Sequence, residues 1–293
     1  MKPTRHSPLL TQQGEEIDLP FAPAPWRLKQ CQQTGIVFLA NPPAYAELNQ
    51  EFAYELTFEK ETEARRAAEP LRYAFSAGLK RFRSQVLKRN KILAIVQSLV
   101  AQSSSKRINV LDVGCGWGSL LDEMFDSMPQ ALKERCVPHG IEISQELSRI
   151  SDTKLMARGG RCIHAPSLEG ITQFERGYFD LIVMASYLEH ETNPLQVLEQ
   201  CRLRLKHGGS VVVKVPNYDC FNRMLRGPRW CGFRWPDHVN YFTPVTLSAM
   251  ANKAALFVSR MTMLDRNPLS DNMYAILSTS DERKHQAKNN DAN

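Results

Sequence analysis

The stretch VLDVGCGWG, Val110 to Gly118, places glycine at alternate positions, Gly114, Gly116 and Gly118, directly after an apolar run that carries Asp112. Glycine has no Cβ, so a chain at these positions turns tightly and brings its backbone close to a ligand. A bend of this kind between a buried strand and a helix is where an open parallel sheet takes ligands, at the carboxyl ends of its strands. Glu142, near the end of the run VPHGIEI, adds a carboxylate able to accept from two neighbouring hydroxyls at once. Two histidines stand where a base would be useful: His190 after the apolar run FDLIVMA, and His238 within an aromatic stretch. An unperturbed imidazole titrates close to neutral pH, which suits proton transfer. The bland alternative for each is a hydrogen-bonded structural histidine.

Strands and helices in alternation would position these groups, and the chain supplies that alternation after the polar stretch Gln102 to Lys106. Strands are expected at Ile108 to Val113, Val137 to Ile143, Arg161 to His164, Phe179 to Ala185 and Ser210 to Val215. A helix from Ser119 to Met128 separates the first two. Another begins with Asn193 as N-cap and Pro194 in its first turn, and is expected to stop at Gly208. Such alternation predicts a doubly wound α/β fold with helices on both faces of a parallel sheet. Two closing strands are expected at Leu256 to Leu264 and Asn272 to Leu277.

The flanks read differently. Residues 1–56 are proline-rich with no sustained period, an irregular arm or cap; residues 57–105 are helical, with Leu79, Phe82, Val86, Leu93 and Val96 near one stripe. The main domain spans residues 106–280, and residues 281–293 form a polar tail expected to be disordered. Within the domain, residues 216–243 interrupt the alternation with Tyr218, Phe221, Trp230, Phe233, Trp235 and Tyr241 among several arginines. They read as a lid that grips an acceptor, or as a satellite hydrophobic cluster beneath a long loop.

Composition narrows the function classes. The 293 residues, 43% hydrophobic, are enough for one full-sized core. No apolar run approaches the roughly 20 residues needed to cross a bilayer, and the N-terminus lacks a secretory pattern, so a cytoplasmic protein without membrane attachment is expected. Seven cysteines, an odd number without a C-x-x-C pair, argue against a disulfide framework. Cys220, Cys231 and His238 lack the paired spacing of structural zinc, and no metal is expected. The net charge of +6 permits an anionic partner without demanding one, and its densest run, Lys80 to Lys91, reads as a solvated helix face.

The segment DVGCGWG resembles the first motif of the class I S-adenosylmethionine-dependent methyltransferases, and the similarity continues from Arg107 to Thr279. FDLIVMASYLEHETNP is similar to the fourth strand and following loop of the small-molecule, methyltransferase-23-like branch. RLRLKHGGSVVVKVPN is similar to its L-K-x-G-G turn and fifth strand, and PDHVNYFTPVTLSAMANKAALF to a P-x-H-x-x-x-F segment. The resemblance implies a Rossmann-like, seven-stranded, mostly parallel sheet. It implies S-adenosyl-L-methionine as cofactor, with Asp112 at its methionine portion, the backbone of Gly114, Cys115, Gly116 and Gly118 against it, and Glu142 with Ile143 at the ribose. Ser167 and Leu168 would serve the adenine, since HAPSLEG lacks the family's acidic residue there. The implied reaction is methyl transfer to a small-molecule acceptor, a hydroxyl oxygen, with His238 or His190 as base.

Departures and rivals are visible too. CQQTGIVFLANP resembles the end of a zinc-ribbon-like segment, but Thr34 replaces its second cysteine, so a metal-free remnant is expected. A nicotinamide-binding enzyme would place a third glycine or alanine where Ser119 stands. An RNA methyltransferase is the alternative within enzymes, since Asn41 to Tyr45 resembles the N-P-P-Y motif of amino methylases; that motif belongs after the fourth strand, where this chain reads MASYLEH, and nucleic acid is not the expected partner. A catalytically silent cofactor-binding protein is a third reading. The oligomeric state stays open.

Overall fold

A computed structural model describes residues 4–43 and 90–279 of the chain. The elements, in order, are β1 (Glu16–Leu19), β2 (Leu28–Cys31), β3 (Val37–Leu39), α1 (Lys91–Gln102), β4 (Ile108–Val113), α2 (Ser119–Ser127), α3 (Gln130–Lys133), β5 (Cys136–Glu142), α4 (Gln145–Met156), β6 (Arg161–His164), α5 (Ser167–Thr172), β7 (Phe179–Ala185), α6 (Pro194–Arg204), β8 (Leu205–Pro216), α7 (Phe221–Arg226), β9 (Asn240–Tyr241), α8 (Pro244–Lys253), β10 (Phe257–Arg260) and β11 (Asn272–Ser278).

The main sheet has seven strands in the order β10-β11-β8-β7-β4-β5-β6. Five are parallel, and β11 enters antiparallel between β8 and β10. From β4 the chain winds to β5 and β6 on one side, then returns to β7 and β8 on the other. Strand order therefore reverses beside β4, and the crevice at its carboxyl end is the position where such sheets hold ligands.

All six residues of β4 are buried, as a strand covered on both faces requires. Ile108 and Val110 pack with α1 and α2, while Leu111 and Val113 pack with the core that includes Val197 and Leu198 of α6 and Leu247 of α8. Local signals explain the helix starts. Ser144 caps α4 by accepting from the Leu147 amide at 3.3 Å, and Thr243 with Thr246 closes a reciprocal cap on α8, whose first residue is Pro244.

Several expectations need correction. The arm is not irregular between residues 16 and 39: β1, β2 and β3 form an antiparallel sheet that β9 joins. Strands of three or four residues, set by turns and by a distant partner, leave too short a period to read. Gly208 does not end a helix. α6 stops at Arg204 because Leu205 turns extended, and Gly208 (φ +77°) lies within β8, close to where its register against β7 shifts. The strand expected at Leu256 to Leu264 shortens to Phe257–Arg260. On α1 the buried stripe is Ile92, Ile95, Val96 and Val100, so Leu93 sits at its margin. Leu79, Phe82 and Val86, the basic run apart from Lys91, Ala44 and Tyr45 of the N-P-P-Y-like turn, and the tail lie outside the described residues. No helix among the described residues is long and apolar enough to cross a membrane.

Candidate functional site

The loop after β4 uses its glycines as the sequence requires. Gly114, Gly116 and Gly118 have φ of +71°, +54° and +73°, in the left-handed region where a Cβ is costly. The amides of Gly114 and Cys115 donate to the Ile141 carbonyl at 2.8 and 3.2 Å, which ties the loop to the end of β5. Glu142 completes the tie: one carboxylate oxygen accepts from the Gly116 amide at 2.8 Å, the other from the Ser144 amide at 2.9 Å. A Cβ on Gly116 would meet nothing within 4 Å, so the loop leaves an open cradle on that side. On Gly114 it would lie 2.5 Å from Cδ2 of Tyr187, whose ring forms the wall.

Asp112 and Glu142 are both buried, and they repel one another. Burial first, and the charge of Glu142 second, push the Asp112 carboxyl up to about 8. A site that holds two carboxylates against each other gains from a cation.

A second cluster lies on the segment after β7. Ser186 takes φ +59°, unusual for a residue with a side chain, and swings Tyr187 to Glu191 across the sheet edge. The Tyr187 hydroxyl donates to Glu191 at 2.6 Å. Glu191 is buried, also accepts from Ser167 Oγ at 2.8 Å, and uses its other oxygen for the Asn193 amide at 2.8 Å. Ser167, expected beside the adenine, therefore has its hydroxyl committed to Glu191. Leu168 packs against the main core. Ile143 accepts through its carbonyl from His164 Nε2 at 3.0 Å.

His190 and His238 come together with Glu189, their donor atoms lying within 4.8 Å of one another. The two rings meet edge to face with centroids 4.7 Å apart. Nδ1 of His190 lies 3.0 Å from the Asp237 carbonyl, and Nδ1 of His238 lies 2.8 Å from that of Gly232. A carbonyl only accepts, so each Nδ1 carries the proton and each neutral ring has its lone pair on Nε2. Burial pulls half-buried His190 down to about 3, with Arg234 adding to the effect, and pushes the Glu189 carboxyl up to about 7. Oε2 of Glu189 is buried without a hydrogen-bond partner.

A carboxylate and two imidazoles are a donor set for a divalent cation. Lys214 and Arg234 near Glu189 offset only part of its desolvation, and its carboxyl stays up at about 7. Asn240 fixes the segment by donating to the carbonyls of Leu188 and Glu191 at 3.0 and 2.6 Å.

The insertion supplies His238 and also much of a separate core. Trp230, Tyr218, Phe233 and Tyr241 are buried with Leu28 and Val37 of the small sheet, and Phe221 is exposed. The satellite cluster foreseen in the sequence is thus present, and it anchors the segment that carries His238. Sequence reasoning missed Glu189, Glu191 and Tyr187. Their signal was the polar run YLEHE two residues after the end of the largely apolar strand β7, where polar side chains collect at the ligand edge.

Comparison with known proteins agrees with the motif resemblance. Residues 79–258, more than half of the chain, match the family model of a methyltransferase domain. The ubiquinone biosynthesis O-methyltransferase of Shewanella halifaxensis is 27% identical over 169 residues, covering 55% of this chain and 69% of that protein. Its counterpart from Paraburkholderia xenovorans is 25% identical over 178 residues, covering 58% and 74%. Among solved structures, the CcbJ methyltransferase of Streptomyces caelestis aligns with a TM-score of 0.48 and 18% identity, covering 63% of this chain and 93% of that one.

The cofactor such a domain uses is compatible with what these residues offer: two buried carboxyls, Asp112 and Glu142, that a nearby cation would favour, and a cradle at Gly116 where a Cβ would meet nothing within 4 Å. By the match of more than half of its length to the family model, the chain belongs to the methyltransferase-domain family and is a class I S-adenosylmethionine-dependent enzyme.

Proposed function

We propose that the enzyme methylates a hydroxyl oxygen of a small-molecule acceptor, with His238 as the base. The observation that carries this is the fixed tautomer of His238, whose Nδ1 donates to the Gly232 carbonyl at 2.8 Å and so puts the neutral ring's lone pair on Nε2, within the cluster it forms with His190 and Glu189 of the segment that follows β7. S-adenosylmethionine supplies an already activated methyl group, so the protein's work is to bind, align and take up a proton.

Asp112 and Glu142 hold the cofactor, with Gly114, Cys115, Gly116 and Gly118 giving it backbone contact and Ile143 lying beside the ribose. Ser167 and Leu168 contribute backbone at the adenine, because the Ser167 hydroxyl is spent on Glu191. His190, held near 3, resists protonation; it acts as a positioning residue whose ring sets the face of His238. Glu189, with its carboxyl near 7, takes part of the positive charge that His238 acquires. Residues 216–243 cover the acceptor. The relatives named above, O-methyltransferases of ubiquinone biosynthesis, support a hydroxyl acceptor.

Incubating the protein with methyl-labelled cofactor and a cell extract tests the acceptor class. Label is expected in the low-mass fraction; label confined to RNA or protein would remove this reading.

A further inference from the structure

The cofactor loop carries a thiol that touches a second one. Cys115, between Gly114 and Gly116, is buried at 7% exposure, and its Sγ lies 3.6 Å from Sγ of partly buried Cys162 on the adjoining strand β6. β5 runs between them, and Gly140 makes the space. A Cβ at that position would come within 2.6 Å of the Cys115 sulfur and 3.2 Å of the Cys162 sulfur. Ser148 on α4 points its hydroxyl at Cys162 Sγ, 3.6 Å away.

The two sulfurs differ in character. Hydrogen bonds from Cys115 and Ser148 pull the Cys162 thiol below its ordinary range, whereas Cys115 is pushed well above it. Cys162, the more exposed of the two and the one that receives the Ser148 hydroxyl, is the nucleophile of the pair, and buried Cys115 is the resolving thiol. Bond formation would shorten the separation from 3.6 Å to about 2.05 Å. Both ends are anchored through their amides, Cys162 on Asp152 at 2.7 Å and Cys115 on the Ile141 carbonyl at 3.2 Å, so the shortening strains the loop as well as the strand. The loop residue next to Cys115 is Gly116, the one that Glu142 grips.

We infer that Cys115 and Cys162 form an oxidant-sensitive modification site in which a disulfide displaces the Gly114 to Gly118 loop and weakens cofactor binding. The inference rests on the reading that this loop holds the cofactor. With a hydroperoxide as oxidant, the Cys162 thiolate attacks the peroxide oxygen and breaks the O–O bond, giving a sulfenic acid and releasing water or an alcohol after protonation. The Cys115 sulfur then attacks the sulfenic sulfur, expelling its hydroxyl as water and losing its own proton, so the pair gives up two hydrogens in all. A dithiol returns both thiols by exchange.

The test uses the full chain. Reduced protein is treated with hydrogen peroxide, and intact mass, peptide mapping and calorimetric affinity for S-adenosylmethionine are recorded before treatment, after it, and after dithiothreitol. A loss of about 2 Da mapped to Cys115–Cys162 is expected, with affinity at least about tenfold weaker and restored on reduction. Cys162→Ser should bind as the reduced protein does and ignore peroxide. An unchanged mass, or a mapped disulfide with unchanged affinity, overturns the inference and leaves the cofactor reading standing. Absence of binding by the reduced protein overturns the cofactor reading itself, and the control of binding with it.

Discussion

His190 and His238 face one another edge-on, 4.7 Å between ring centres, although one follows a central strand and the other lies in a distant aromatic insertion. The Asp237 carbonyl that orients the first ring comes from the residue just before the second. Each histidine therefore depends on the same short segment, and their geometry is set together.

His238→Ala should lower kcat by roughly a hundredfold or more, in the range of a lost general base, while leaving cofactor affinity within about twofold. Steady-state kinetics with a hydroxyl acceptor, alongside calorimetry, separates the two effects. His190→Gln, which leaves the His238 base in place, should lose much less turnover than His238→Ala. Unchanged turnover in His238→Ala would exclude its role as base.

Asp112 links cofactor binding to pH. Its folded carboxyl titrates at about 8, well above the ordinary 3.8, so the folded protein holds a proton that the unfolded chain releases in between. Its contribution to stability is then fully present below about pH 4 and is lost as pH rises through about 8. Asp112→Asn keeps the neutral form at every pH. Without cofactor, the variant should melt above the wild type at about pH 9 and converge with it towards pH 4, while binding S-adenosylmethionine at least about tenfold more weakly. Thermal melts at the two pH values check the first part, and a variant less stable at pH 9 would contradict it.

Two glycines of one loop should fail differently. Alanine at Gly116 meets empty space, so its stability cost is the left-handed backbone alone, about 1–2 kcal/mol, but its methyl group intrudes on the cradle and reduces cofactor affinity. Alanine at Gly114 has the same backbone cost and also displaces Tyr187 from Glu191. Urea titrations should rank Gly114→Ala as the less stable of the two.

Trp230 tests the satellite core. It is 2% exposed, and its Nε1 donates to Asp271 at 2.8 Å, which bridges the insertion to the start of β11. Trp230→Ala should cost about 3–5 kcal/mol. Trp230→Phe retains most of the apolar contact and loses the hydrogen bond, for about 1–3 kcal/mol. Equal losses in the two variants would show that packing of the ring contributes nothing beyond the bond.

The strand-helix alternation from Ile108 to Val215 was legible because the central strands are largely buried on both faces, which leaves short apolar-rich runs such as LIVM in β7 and VVV in β8. The glycine bend and Glu142 were legible for a related reason, since φ above zero and a carboxylate at a strand end leave their mark on residue type. The small sheet of β1, β2, β3 and β9 was not, because β3 finds its partner Asn240–Tyr241 far along the chain, and two-residue pairing leaves no period to read.

Residue order alone therefore determined the doubly wound core, the glycine bend after its first parallel strand, and the candidacy of both histidines. Only the folded chain decided that those histidines share one cluster with Glu189, that Glu191 holds Ser167 and Tyr187, and that Cys115 touches Cys162. Local propensities act within a few residues and are written into the sequence. Contacts between distant segments depend on how the layers pack, and the apolar pattern that drives packing does not say which polar side chains it will bring face to face.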